Sequence, residues 1–184
     1  MYVLIQLRNC FVYFAVIGLL SHVFGELLPR EKFHYDRPPY RPLDWEENGS
    51  FYSRVLRIRK WRHLLPDKSK AVKSMYQKKL DGDFSSKHLG RLLEESCVAE
   101  FVHCALIVVS PFVALFADGA CCGVCMVLFM VGNVPFVIIQ RYNRPKLARL
   151  LAAAQKREEL LVSENECDSV SVDDEEVTDT VFKT

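Results

Sequence analysis

Residues 97–140 read CVAEFVHCALIVVSPFVALFADGACCGVCMVLFMVGNVPFVIIQ, and only Glu100 and Asp118 in that stretch carry a formal charge. Residues 119–140 hold none in 22 positions. A helix needs about 20 predominantly apolar residues to cross a bilayer. The stretch divides into two such lengths, 97–117 and 119–140, with Asp118-Gly119 as the turn between them. A transmembrane helical hairpin is therefore predicted. Gly132 and Pro135 are compatible with it, because membrane helices tolerate both residue types.

The flanks of the hairpin set its expected orientation. Lys87 and Arg91 precede it, Arg141, Arg144, Lys146 and Arg149 follow it, and the connecting turn has no basic residue. Lys and Arg stay on the cytoplasmic side, so both hairpin ends are expected inside and Asp118 outside. Farther out, residues 10–28 form another apolar block, broken only by Ser21, His22 and Glu26. It is long enough for a third span, which would put the N-terminus outside, an arrangement that Arg8 opposes. A cleaved signal peptide ending near Val23-Phe24-Gly25 is the competing reading.

Between these blocks, residues 27–96 are polar and contain sixteen Lys and Arg. Pro29, Pro38, Pro39 and Pro42 predict extended or looped chain, and Asn48-Gly49 predicts a turn. Residues 51–64, FYSRVLRIRKWRHL, place Phe51, Val55, Ile58 and Trp61 at helical spacing among five basic side chains. Such a basic amphipathic helix can lie on an anionic membrane surface or pack its apolar stripe on the rest of the protein. Residues 145–161 read as a short cytoplasmic helix with Leu147, Leu150, Leu151 and Leu160 on its apolar side. Residues 162–184 are acidic and poor in apolar content, and are expected to be disordered. The fold class is thus an all-α membrane protein, one domain over residues 1–161 followed by a tail.

Composition agrees with this organisation. Of the 184 residues, 50% are hydrophobic and 26% charged, with a net charge of only +1. The near-balance hides segregated blocks rather than the even mixing of soluble amphipathic elements. No nucleic-acid partner is expected. Of the seven cysteines, Cys122 and Cys125 have metal-site spacing, but neither a second pair nor a His cluster follows. Neither a metal site nor a disulfide framework is predicted. Cysteines among Val, Met and Leu behave as small apolar side chains. P-loop and GxSxG signatures are absent, and His63 and Asp67 are too close to be an acyltransferase His-x4-Asp pair.

Three features could carry chemistry. Glu100 and His103 lie three apart, on one helical face, and ionisable groups within a span suggest a functional site. The alternative is that Glu100 reaches the interface and pairs with Arg141. Folding the hairpin about Asp118-Gly119 brings His103 level with Val134 and Glu100 level with Val137, to about one turn. Asn133 then joins the pair, as a polar ligand or as a helix-to-helix hydrogen bond. Gln140, Arg141, Tyr142, Asn143 and Arg144 sit just beyond. Arg59, Lys60 and Trp61 form the third feature, suited to phosphate or lipid headgroups and equally to an ordinary juxtamembrane patch.

These residues resemble a known family, the glycosyl-4,4'-diaponeurosporenoate acyltransferases of carotenoid biosynthesis. The similar stretches are Trp45-Glu46 followed by Gly49 and Phe51, Arg59-Lys60-Trp61, Ala99-Glu100 with His103, and NVPFVIIQRYNRPKL at residues 133–147. The resemblance implies transfer of a fatty acyl group to a sugar hydroxyl of a membrane-dissolved carotenoid glycoside, with no cofactor beyond the acyl donor. It also implies lipid substrates, a cell-membrane location and association with other enzymes of that pathway. In this frame His103 is the expected base and Glu100 its orienting carboxylate, while Asn133 is the expected oxyanion donor. Arg141 and Arg144 would hold the phosphate of a coenzyme A thioester. A non-catalytic membrane scaffold and a lipid-surface binding module are the alternatives.

Overall fold

The computed structural model describes residues 1–62 and 86–181, with side chains through Ser163. Among the described residues every regular element is helical. The long ones are α1 (Tyr2–Leu27), α4 (Ser86–Val109) and α5 (Gly119–Val181). Two short helices, α2 (Ser50–Arg54) and α3 (Ile58–Trp61), lie between α1 and α4. Three segments, Tyr2–Leu27, Ser86–Leu115 and Gly119–Ser163, are long and apolar enough to cross a membrane. Their outward faces demand one. Phe11 is 74% exposed, Val108 70%, and Leu128 66%, and an apolar belt this extensive has no stable place in water.

The hairpin forms as predicted. After Val109 the chain tightens into a 3-10 segment, Ser110–Leu115, with Pro111 in its first turn. Gly119 reverses it at φ +78°, in the left-handed region that glycine enters without steric cost. The N-terminal helix begins earlier than the expected residue 10, and the polar groups of residues 2–9 explain why. The Tyr2 hydroxyl donates to Asp118, the Asn9 amide to the Phe116 carbonyl, and Gln6 accepts from the Asp118 backbone N–H. The start of α1 thus covers the hairpin tip, and its end lies beside residues 95–103 in the middle of α4. Tyr13 donates to the Val109 carbonyl at 2.6 Å, and Phe14 stacks on Phe129 at 4.2 Å.

Two further helix boundaries differ from those expected. The single helix over residues 51–64 is broken at Arg57, which adopts φ +47°. Tyr52 and Ile58 both pack on Ile139 and Tyr142 of α5. Six residues apart on one straight helix they would point about 120° away from each other. The left-handed residue turns both onto the same neighbour. Residues 63–67, expected to complete and end that helix, lie outside the described residues. The second difference is that residues 145–161 continue α5 instead of starting a new helix. Pro145 leaves only the Arg141 carbonyl without its helical partner, and Leu147 and Leu151 pack with Leu89 and Leu93 of α4. The helical backbone then runs on to Val181. Helical hydrogen bonds are local and need no tertiary partner to close.

Candidate functional site

Two polar clusters bridge α4 and α5, one turn apart. The upper one joins His103 to Asn133. Asn133 donates from its Nδ2 to the Phe129 carbonyl at 2.9 Å, four residues back on its own helix. That fixes the amide so that Oδ1 faces His103 Nδ1, also at 2.9 Å. An amide oxygen can only accept, so Nδ1 is the donor in this contact, and in the neutral imidazole Nε2 is then the basic nitrogen. The imidazole stacks on Phe136, 4.6 Å between centroids and 10° from parallel. Its other side meets α1. His103 lines a cavity of ≈ 220 Å³ together with Ser21, His22, Gly25 and Glu26 of α1 and Arg30 beyond it. The approach is close at Gly25, where a Cβ would sit 3.3 Å from a Val102 methyl. Arg30 caps the end of α1, donating to the Gly25, Glu26 and Leu28 carbonyls.

The lower cluster is an alternating chain of buried charges. Arg144, 1% exposed, donates to Glu100 at 2.5 Å and to the Tyr40 and Ser96 carbonyls at 2.8 and 3.2 Å. Arg141 lies 3.5 Å from the other Glu100 oxygen and 3.1 Å from Glu46, and also donates to the Pro39 carbonyl at 3.0 Å. Glu46 in turn accepts from the Tyr52 hydroxyl and from the Leu43 backbone N–H at 2.7 Å. Two guanidiniums therefore face two carboxylates, and neither kind of charge is left buried alone. Burial, then the hydrogen bond to Glu46, push the Tyr52 hydroxyl far above its ordinary pKa, so it stays a donor.

The loop that brings Glu46 into place is shaped by its neighbours. Glu47, Asn48 and Gly49 all take positive φ, curling the chain so that Glu46 faces inward. A Cβ on Gly49 would lie 3.1 Å from the Tyr142 carbonyl. This gives the Trp45-Glu46 and Gly49 motif a physical meaning: one residue supplies the carboxylate, the other lets its loop touch α5.

The hairpin thus brings His103 and Asn133 together, as its register predicted. It does not join Glu100 to His103, because the two arginines take both oxygens of that carboxylate. Nor does Asn133 turn its N–H groups to His103. Arg144 is sealed inside the protein. Tyr142 is buried under Lys146, whose Nζ is 3.1 Å from the ring centroid. Asn143 is buried, Gln140 half-buried. Arg59 and Lys60 are exposed, and Trp61 donates to the Leu56 carbonyl at 2.9 Å. Among the described residues no cluster has the make-up of a metal site. Sequence reasoning missed Glu46, Tyr52 and the α1 wall of the cavity. The polar break at Ser21, His22 and Glu26 in an apolar helix was the available signal for that wall.

A chain with no strand among the described residues, three apolar helices and an Arg–Glu network buried between two of them belongs to the polytopic membrane class. More specifically, the chain belongs to the glycosyl-4,4'-diaponeurosporenoate acyltransferase family, which its residues 36–153 match. It is 28% identical over 152 residues to the glycosyl-4,4'-diaponeurosporenoate acyltransferase of Staphylococcus aureus strain bovine RF122 / ET3-1, covering 82% of this chain and 90% of that relative. The proteins of that name from strains MRSA252 and N315 are 28% and 27% identical over the same shares. No solved structure matches the chain. Membership makes it an acyltransferase.

Proposed function

We propose that this protein transfers a fatty acyl group to a sugar hydroxyl of a glycosylated carotenoid or closely related glycolipid, closing the biosynthesis of that lipid. The observation that carries the reading is the His103–Asn133 pair, which leaves Nε2 basic in a ring lining a cavity. In the proposed step the sugar hydroxyl attacks the acyl carbonyl as Nε2 takes its proton. The new ester C–O bond forms, the bond to the leaving group breaks, and the imidazolium returns the proton to that group. A thioester of coenzyme A fits as donor, its thiol being the group released. Asn133 is a positioning residue that holds the tautomer, a role the expected Glu100 would otherwise have filled. Glu100, Arg141, Arg144 and Glu46 fasten residues 37–54 beneath the site. No metal takes part in this scheme.

The basic flanks support an inner-leaflet site. The glycoside reaches such a place through the membrane, and a coenzyme A thioester reaches it from the cytoplasmic face. Exposed Arg59 and Lys60 suit its phosphates. Lipid extracts of cells making the glycoside, with and without this gene, test the substrate class. An acylated glycoside that appears only with the gene is expected. An unchanged lipid profile would leave the membrane scaffold as the better reading.

A further inference from the structure

The cavity beside His103 has an apolar neighbour. An open-sided hollow of ≈ 480 Å³ lies between α1 and α4, with Leu20, Phe24 and Leu27 of its α1 wall more than half exposed. Ile17, Leu20, Phe24 and Leu27 form one of its walls, and Leu106 and Val109 are part of the other. From Ile17 to Leu27 it follows α1 for about 15 Å at the helical rise. Ser21 borders both spaces. The two lie on adjoining faces of α1: positions 17, 20, 24 and 27 line the hollow, and positions 22, 25 and 26 line the cavity. Passing from one to the other means turning around Ser21.

We infer that this hollow holds the hydrocarbon chain of the fatty acyl donor and delivers its carbonyl, around Ser21, to the His103 cavity. The inference rests on the acyl-transfer reading above. Chain chemistry selects the occupant. A saturated chain rotates freely about each C–C bond and can bend at Ser21, whereas a conjugated polyene is stiff and cannot. Position agrees as well. The reacting carbon of an acyl group is the first atom of its own chain, so chain and base must be neighbours. The lipid part of a glycoside, by contrast, is separated from the reacting hydroxyl by the sugar ring. Residues of the hollow then set the accepted chain length, which makes Ala105, Ile17 and Val109 specificity-determining positions.

Ala105→Phe and Ile17→Trp fill the hollow from either wall and touch no polar group of the site. Membranes containing the full-length protein would be assayed with acetyl, hexanoyl and palmitoyl thioesters, with accumulation checked in each. We expect palmitoyl transfer to fall at least tenfold relative to hexanoyl in one or both variants, with acetyl transfer retained. A palmitoyl thioester bearing a terminal diazirine gives a readout that needs no turnover. Its crosslinks should fall within residues 17–27 and 105–109, and Ala105→Phe should abolish them. An unchanged chain-length profile, or crosslinks spread evenly over the lipid-facing helices, would overturn the inference while leaving the acyltransferase reading intact. Crosslinks in the hollow without transfer of any chain would keep the binding site and remove the proposed acceptor.

Discussion

Gly49 occupies a backbone position where a side chain would be strained and tightly packed. Its φ of +88° and the 3.1 Å approach of a hypothetical Cβ to the Tyr142 carbonyl act together. Gly49→Ala should destabilise the protein by about 1–2 kcal/mol from the left-handed conformation alone, read as a lower midpoint in a thermal or denaturant melt in detergent. Tyr52 gives a pH signature. Its folded pKa lies above the ordinary value of 10.0, so its contribution to stability is whole below that pH. It is lost as pH rises beyond 10.0 toward the folded value, because the unfolded chain ionises first. Tyr52→Phe should flatten the alkaline limb of stability against pH, and an unaltered limb would show that another group sets it. Of these residues, Gly49 was legible only as a turn. A sequence displays the Asn48-Gly49 pair but not the helix packed against it. His103 and Asn133 were legible because antiparallel register alone aligns them. Glu100 was placed at the right depth, and of its two readings the structure takes the pairing with Arg141; Arg144 joins it, which i, i+3 spacing on one helix cannot reveal.

At the scale of elements, the α4–α5 contact is held by the Glu46–Arg141–Glu100–Arg144 chain and by leucines below it. Breaking one member leaves a buried charge without its partner, which costs about 3–5 kcal/mol. Glu100→Ala should therefore sharply reduce accumulation of folded protein. Glu100→Leu combined with Arg144→Leu should recover much of it, since removing a buried pair together is far milder than removing half. Equal loss in the single and double variants would mean that the pair supplies more than stability. The same cluster explains why the α2–α3 region resisted reading. Periodicity over residues 51–64 described one helix with one apolar stripe, but Tyr52 and Ile58 must both reach α5 to cover Ile139 and Tyr142. Tertiary packing imposed the break at Arg57. Long apolar stretches were readable for the opposite reason, since lipid requires a helix to satisfy its own backbone whatever its neighbours do.

For the whole molecule, the three long helices serve one site only if α1 stays attached. Its N-terminal polar groups bind the hairpin tip, and its far end walls the His103 cavity, so its removal would open that cavity on one side. In the proposed step His103 is the base of an acyl transfer. Its most direct test is the rate of transfer to a glycosylated carotenoid in membranes carrying wild-type protein, His103→Ala or Asn133→Ala, each normalised to its accumulation. General-base catalysis contributes about 10²–10⁴-fold, and His103→Ala should lose a factor in that range. Asn133→Ala should lose less, because the imidazole remains but its tautomer is no longer fixed. Transfer by His103→Ala at the wild-type rate, in protein that inserts and accumulates normally, would contradict the account.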